Sequence, residues 1–162
     1  MSSNKNIVEI GNKVNDFQAE STGGAFRLSD YEGRMVVLYF YPKDNTPGCS
    51  TESADFAAVW KDFLAAGAEV FGVSRDSLTS HTNFKRKLAL PFELISDTDE
   101  AICRQFDVIK MKNMYGKQSQ GVERSTFLIN RQGVLVKEWR KVKVTDHVAE
   151  VLEAVREAEP KH

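Results

Sequence analysis

Cysteine is scarce in this sequence, and its scarcity narrows the chemistry. The 162 residues contain 2 cysteines, Cys49 and Cys103, which are too few for a disulfide framework. Their long separation also excludes a C-x-x-C redox pair and a zinc knuckle. Any redox chemistry must therefore centre on a single thiol.

A strong excess of charge and long apolar runs are also lacking. The formal net charge is -1 without a long basic run, which argues against nucleic acid or an anionic membrane as the main partner. No uninterrupted apolar stretch could span a bilayer, and the polar residues 1–6 lack the apolar segment of a secretory signal. We therefore expect one domain over residues 1–162, with no membrane association and a cytoplasmic location.

Histidine is sparse as well, and its placement indicates no metal site. His81, His147 and His162 show no ligand spacing with one another or with the cysteines. Neither a zinc site nor a cysteine–histidine hydrolase dyad is therefore predicted, and we expect all three histidines on the surface. Because neither common type of glycine-rich phosphate loop is present, no cofactor is predicted.

What the sequence does contain is an alternation of strand-like and helix-like segments. The run 35–41 is continuously apolar and rich in β-branched and aromatic residues, which predicts a central strand buried on both faces. Apolar residues at helical spacing follow Cys49 as far as Gly67 and predict one helix of about four or five turns. The remaining pattern predicts strands at 68–74, 92–95, 125–129 and 134–139, helices at 77–88, 98–106 and 147–158, and a small hairpin around Gly23 and Gly24.

The order of these segments indicates an α/β fold. A βαβ half followed by two antiparallel strands and a helix is typical of the thioredoxin-like fold, in which helices flank a central mixed β-sheet. The N-terminal hairpin and an inserted strand-helix segment within 77–106 would be additions to that fold. The basic stretch 110–117 is interpreted either as a flap or contact surface with exposed apolar residues, or as a solvated loop.

Cys49 lies where the apolar strand gives way to the predicted helix, and its position favours reactivity. Thr46 suits the N-cap and Pro47 the first helical position, so Cys49 falls in the first turn. Unpaired N–H groups and the positive end of the helix dipole favour a thiolate there. Thr46 could accept the Cys49 N–H or turn its hydroxyl toward the sulfur, Gly48 leaves room for a substrate, and Pro42 would shield the strand end.

The alternative for each cysteine is burial as a small apolar side chain, because free cysteine is among the most buried residue types. Polar neighbours favour reactivity for Cys49, whereas apolar neighbours in a short helix favour core packing for Cys103. Arg124 directly precedes the strand expected beside the run 35–41, which makes it the candidate cation near Cys49. Arg75 is a weaker candidate, and a solvated surface charge is the alternative for either arginine.

The residues 42–49 carry the pattern P-x-x-x-T-x-x-C, which resembles the motif of peroxiredoxins. The variant Asp-Asn-Thr-Pro-Gly-Cys, followed by Thr51 and Glu52, is similar to the bacterioferritin comigratory protein subfamily, also called PrxQ. The resemblance covers nearly the whole chain, including 108–116 and 121–127.

The resemblance implies a thioredoxin-like peroxidase that reduces hydrogen peroxide and small organic hydroperoxides through a cysteine sulfenic acid. In that reading Cys49 is the peroxidatic cysteine, and Thr46 and Arg124 are its activators. Pro42 is the shield of the pocket, and Glu52 is the acid that helps to hold the arginine. The N–H groups of Gly48 and Cys49 would join Thr46 and Arg124 in stabilising the developing charge.

The sequence departs from the family where a second cysteine is expected. Many members carry a resolving cysteine at the position of Ala54, and others carry it around Phe84 and Lys85. Cys103 could resolve Cys49 only if its helix swung free, because a disulfide requires Cα atoms within roughly 7 Å. We therefore predict a one-cysteine cycle in which thioredoxin, glutaredoxin or a low-molecular-weight thiol reduces the sulfenic acid.

Three alternatives to this cycle are open at the level of sequence. One is an atypical two-cysteine cycle that uses Cys103. Another is a redox-responsive interaction protein, in which oxidation of Cys49 loosens its helix and exposes the surface 111–115 to a partner. General thiol–disulfide exchange is weakened by the missing C-x-x-C pair. The resemblance implies a monomer, and an exposed apolar loop would allow weak dimers.

Overall fold

A central sheet organises the chain in this computed structural model, which describes residues 6–158. The strands of the described chain are β1 (Gln18–Ser21), β2 (Gly24–Arg27), β3 (Met35–Phe40), β4 (Ala68–Ser74), β5 (Leu94–Ser96), β6 (Ile109–Met114), β7 (Lys117–Val122), β8 (Ser125–Ile129) and β9 (Leu135–Trp139). The α-helices are α1 (Pro47–Ala58), α2 (Trp60–Ala65), α3 (Leu78–Leu88), α4 (Ala101–Gln105) and α5 (His147–Ala158). A short 3-10 helix occupies Leu28–Tyr31.

The main sheet is mixed, with the strand order β2-β1-β5-β4-β3-β8-β9. Strands β3, β4 and β5 run parallel, and β8 pairs antiparallel with β3. Opposite the end of β3, Phe40 pairs with Ser125, so Arg124 lies beside the loop that leaves β3. This mixed sheet with helices on both sides confirms the predicted thioredoxin-like class.

Alternate residues of β3 belong to two separate cores, because successive side chains of a strand point to opposite faces. Val37 and Tyr39 pack with residues of α1, α2, α3 and α5, whereas Val36 and Leu38 pack with α4 and the N-terminal segment. Cys49 belongs to the first core and Cys103 to the second. The sheet therefore separates the two thiols.

The single helix predicted after Cys49 is wrong, because the structure divides it into α1 and α2. Val59 leaves the helical conformation at φ -117° and ψ 18°. The bend lets the rings of Phe56 and Phe63, one from each helix, pack 5.7 Å apart in the same core. Gly67 ends the segment with φ +88°, as its sequence position predicted.

Two other segments differ from their predictions. The helix predicted at 98–106 is shortened to α4, and the carboxylate of Asp97 accepts the N–H groups of Ile102 and Cys103 at its start. The stretch 110–117 is part of the β6–β7 hairpin, which forms a sheet of its own. None of the helices within residues 6–158 is long and apolar enough to cross a bilayer.

Candidate active site

The site begins at the first turn of α1. Thr46 is the N-cap residue, Pro47 is the first helical residue, and Cys49 follows as the third. The side chain of Cys49 is fully buried, at 0% exposure, although its neighbours in sequence are polar. Its sulfur therefore lies near the unpaired N–H groups of a helix N-terminus but away from bulk water.

Arg124 is the cation that contacts the sulfur. Its Nη2 donates to Cys49 Sγ at 3.4 Å, and its Nη1 donates to Glu52 Oε1 at 2.6 Å. Burial opposes the charge on Arg124, but Glu52 and Cys49 outweigh that effect and raise the pKa of the guanidinium. Arg124 is thus held as a cation beside Cys49 by Glu52, which lies one turn further along α1.

Gly48 lets the guanidinium of Arg124 come close to the first turn of α1, because glycine has no Cβ atom. A Cβ atom at Gly48 would lie 3.1 Å from Arg124 Nη2, closer than side chains normally pack. Because Glu52 pins the guanidinium, it could not move aside without losing its partner. Arg124 therefore occupies part of the space beside Gly48 that the sequence analysis predicted for a substrate.

Thr46 differs in its hydrogen bonding from the prediction. Its side chain does not cap α1, and its hydroxyl instead donates to the carbonyl of Lys43 at 2.8 Å. The preceding Asn45 has φ +65°, so the loop turns sharply before Thr46 and takes the hydroxyl back toward Lys43. Pro42 is half-buried at the end of β3, and its role as a shield stays a prediction.

The predicted surface placement is wrong for two of the histidines. His81 and His147 are 0% and 4% exposed, because each lies on the inward side of its helix and bonds a residue distant in sequence. His81 Nδ1 contacts Asp44 Oδ2, and His147 Nε2 contacts Thr126 Oγ1, both at 2.8 Å. His162 and the polar residues 1–5 lie outside the described residues.

The remaining candidates lie outside the site. Arg75 pairs with Glu100 at 2.9 Å. Cys103 is fully buried, which confirms core packing. Burial, followed by the nearby carboxylate of Asp97, holds the pKa of the Cys103 thiol far above its usual range.

Glu52 and His147 form a buried pair beside Arg124. The sequence predicted Glu52 at the site but placed His147 on the surface. Burial raises the pKa of Glu52 to about 7, and Arg124 only partly opposes this effect. Burial, helped by the charge of Arg124, lowers the pKa of His147 to about 4. Glu52 Oε2 has no hydrogen-bond partner and lies 4.0 Å from His147 Nε2. A neutral His147 thus faces a carboxyl that is uncharged below about pH 7.

The raised pKa of Glu52 predicts how stability depends on pH. The folded chain binds the proton of the Glu52 carboxyl more tightly than the unfolded chain does, so this proton adds to the free energy of unfolding. The contribution is complete below the ordinary pKa of 4.5 and is lost as the pH rises through about 7. Glu52→Gln keeps the shape of the protonated acid without titrating. The difference in free energy of unfolding between Glu52→Gln and wild type should therefore shift in favour of the variant by about 2–3 kcal/mol between about pH 5 and pH 8.

Urea denaturation of both proteins at the two pH values measures this difference. The matched control is Glu150→Gln, which makes the same substitution at an exposed acid of α5. Its free energy of unfolding should differ from that of wild type by about the same amount at both pH values. A Glu52→Gln variant that tracks wild type at both pH values would contradict the prediction.

The sequence that builds this site matches a known protein family. The model of the AhpC/TSA family matches residues 10–138. Peroxiredoxin Bcp of Xanthomonas campestris pv. campestris is 51% identical over 151 residues, which cover 93% of this chain and 94% of that protein. The chain belongs to the peroxiredoxin family. It is a thiol-dependent peroxidase.

Other relatives of this peroxiredoxin agree in sequence and in fold. Peroxiredoxin Bcp of Bacillus subtilis is 48% identical, over 95% of this chain and 99% of that protein. A solved structure of Xanthomonas campestris peroxiredoxin Q has a TM-score of 0.85 at 52% identity and covers 89% of this chain and 92% of that chain. A mutant of Xylella fastidiosa PrxQ has a TM-score of 0.88 at 44% identity, over 93% and 96% of the two chains.

Proposed function

We propose that this peroxiredoxin reduces hydrogen peroxide and small organic hydroperoxides at Cys49 in a one-cysteine cycle. The observation that carries the proposal is the contact of Arg124 Nη2 with Cys49 Sγ at 3.4 Å, in the first turn of α1. A related structure, that of the Xanthomonas campestris bacterioferritin comigratory protein, was described for its alkyl peroxide reduction activity. That relative supports organic hydroperoxides as a substrate class.

The chemical step transfers one oxygen atom to the sulfur. The Cys49 thiolate attacks a peroxide oxygen, the S–O bond forms as the O–O bond breaks, and the thiolate becomes a sulfenic acid. The leaving hydroxide or alkoxide takes up a proton and departs as water or an alcohol. Arg124 and the N–H groups at the start of α1 stabilise the negative charge as it moves onto the departing oxygen.

The second half of the cycle requires thiols from outside the chain. A first thiol condenses with the sulfenic acid, which releases water and forms a mixed disulfide, and a second thiol reduces that disulfide to restore Cys49. Thioredoxin, glutaredoxin or a low-molecular-weight thiol fits this role. Such reductants operate in a reducing compartment, which supports the proposed cytoplasmic location. A monomer capable of weak dimerisation stays our expectation.

Cys103 is poorly placed to act as an internal resolving thiol. The sheet lies between the two cysteines, and Cys103 is a residue of α4 whose side chain packs into the second core. Burial, followed by the nearby Asp97, also disfavours its thiolate, which is the form that attacks a sulfenic acid. At the positions where the resemblance to the PrxQ subfamily predicts a resolving cysteine, this chain has Ala54 on α1 and, on α3, the fully buried Phe84 and its neighbour Lys85. These features support the one-cysteine cycle.

The interaction-protein alternative is not favoured by the β6–β7 hairpin. In the reduced chain, Met111 and Tyr115 on that hairpin are already 63% and 98% exposed. Loosening of α1 by oxidation is therefore not needed to present this surface.

The one-cysteine cycle is tested by intact mass analysis after one equivalent of hydrogen peroxide, with a sulfenic-acid trap present. Wild type and Cys103→Ser should each gain one trapped adduct at Cys49, and Cys103 should remain a free thiol. The oxidised protein should recover its thiol only when an external thiol is added. An internal disulfide that forms in wild type and not in Cys103→Ser would overturn the proposal.

A further inference from the structure

A buried polar cluster lies beneath the loop that carries Thr46. Its centre is the carboxylate of Asp44, which is 4% exposed and lies between β3 and α1. Tyr41 Oη donates to Asp44 Oδ1 at 2.7 Å, and Ser80 Oγ donates to Oδ2 at 2.8 Å. His81 Nδ1 lies at 2.8 Å from the same Oδ2. Asp44 is therefore joined to α3 through two residues of its first turns.

The geometry requires a proton between Asp44 and His81. His81 Nε2 lies 3.0 Å from the carbonyl of Ile95, and because a carbonyl only accepts, Nε2 must carry a hydrogen. The contact of Nδ1 with a carboxyl oxygen then needs a second hydrogen, either on the ring or on Asp44. With side chains 0% and 1% exposed, the two residues form a pair that water does not separate.

This cluster is not suited to hold a metal ion. Asp44, Asp76 and His81 place potential ligand atoms within 4.8 Å of one another. However, Asp76 Oδ2 accepts the backbone N–H of Asp44 at 2.9 Å, and both nitrogens of His81 are engaged as described. The hydrogen bonds of the chain itself already use these atoms, so a metal ion would have to displace them.

The cluster fixes the loop through both the side chain and the backbone of Asp44. The side chain is tied to α3, and the N–H is tied to Asp76 after β4. The next residue, Asn45, has φ +65°, a conformation that residues with a Cβ adopt only at a cost. Thr46 follows at once and sets the start of α1, where its carbonyl accepts the N–H of Ser50 at 2.9 Å.

We infer that Asp44 and His81 are positioning residues for the peroxidase reaction, which hold the strained loop so that Thr46 and the first turn of α1 are aligned around the Cys49 sulfur. The inference rests on the proposed function at Cys49. Neither side chain touches the sulfur, and both act through the loop. Helix α3, which carries no cysteine in this chain, thereby serves as the fixed support of the site.

The test compares the second-order rate constant of Cys49 oxidation by hydrogen peroxide in wild type, Asp44→Asn, His81→Gln and the double variant. Because misplacement of about 1 Å can cost about 100-fold in rate, each single variant should react about 10- to 100-fold more slowly. The double variant should be no slower than the slower single variant, since the two residues act as one unit.

Two controls separate positioning from general stability. Asp97→Asn removes another buried carboxylate, which is 3% exposed and caps α4 on the opposite face of the sheet. It should lose comparable stability in urea and keep the wild-type rate with peroxide. Alkylation of Cys49 by iodoacetamide, which does not need the aligned loop, should fall much less than peroxide oxidation in Asp44→Asn.

The inference is overturned if Asp44→Asn reacts with peroxide as fast as wild type, if Asp97→Asn slows the reaction equally, or if alkylation and peroxide oxidation fall in parallel. A different outcome bears on the proposed function itself. If wild type reacts with peroxide no faster than free cysteine, the peroxidase proposal fails, whatever the variants show.

Discussion

Cys49→Ser should lose peroxide turnover almost completely, by roughly a thousandfold or more, as expected when a nucleophile is removed. A serine hydroxyl remains neutral in this position and cannot form a sulfenic acid. Arg124 and the N–H groups of α1 would remain in place, but they stabilise charge only while a nucleophile breaks the O–O bond. Consumption of hydrogen peroxide with excess dithiol as the reductant measures the loss.

Cys103→Ser is the matched control, because it makes the same change in the other fully buried cysteine. Both variants introduce a hydroxyl into an apolar core, so both should lose some stability, and urea denaturation will show whether each is folded. Cys103→Ser should keep the wild-type rate constant with peroxide. Substantial turnover in Cys49→Ser that disappears in the double variant would instead assign the chemistry to Cys103.

Local patterns in the sequence predicted most of the main sheet. The continuous apolar run gave β3, and the predicted strands 68–74 and 125–129 match β4 and β8. Such runs predict well because burial on both faces leaves few other conformations. The β6–β7 hairpin was missed because β7 is polar and largely exposed, so it carries no apolar pattern that would indicate a strand paired with β6.

The site was predictable where one short motif builds it and unpredictable where distant residues meet. The N-cap position of Thr46 and the place of Cys49 in α1 follow from adjacent residues, and pairing of β8 with β3 brings in Arg124. By contrast, His81 meets Asp44 across 37 positions, and His147 meets Thr126 across 21. Only the tertiary packing of α3 and α5 brings those partners together, so spacing in the sequence carries no signal for them.

Arg124→Met should lower the rate constant of Cys49 with peroxide by about 100- to 1000-fold, the usual cost of removing one preorganised donor from a developing negative charge. Methionine fills much of the same space and supplies neither charge nor N–H groups. Glu52, which is 0% exposed in the wild-type chain, would lose its hydrogen-bonding partner. Stopped-flow oxidation with hydrogen peroxide measures the rate, and urea denaturation measures the accompanying loss of stability.

Loss of Arg124 changes both chemistry and folding, and a second substitution separates the two effects. An unpaired buried carboxylate destabilises a protein by about 3–5 kcal/mol, or takes up a proton. Arg124→Met combined with Glu52→Gln removes that charge, so the double variant should regain stability at about pH 8 while its reaction with peroxide remains slow. If the rate recovered together with the stability, Arg124 would act only by compensating Glu52. A rate that stays low in a stable protein would show that Arg124 itself stabilises the negative charge that develops in the reaction at the sulfur.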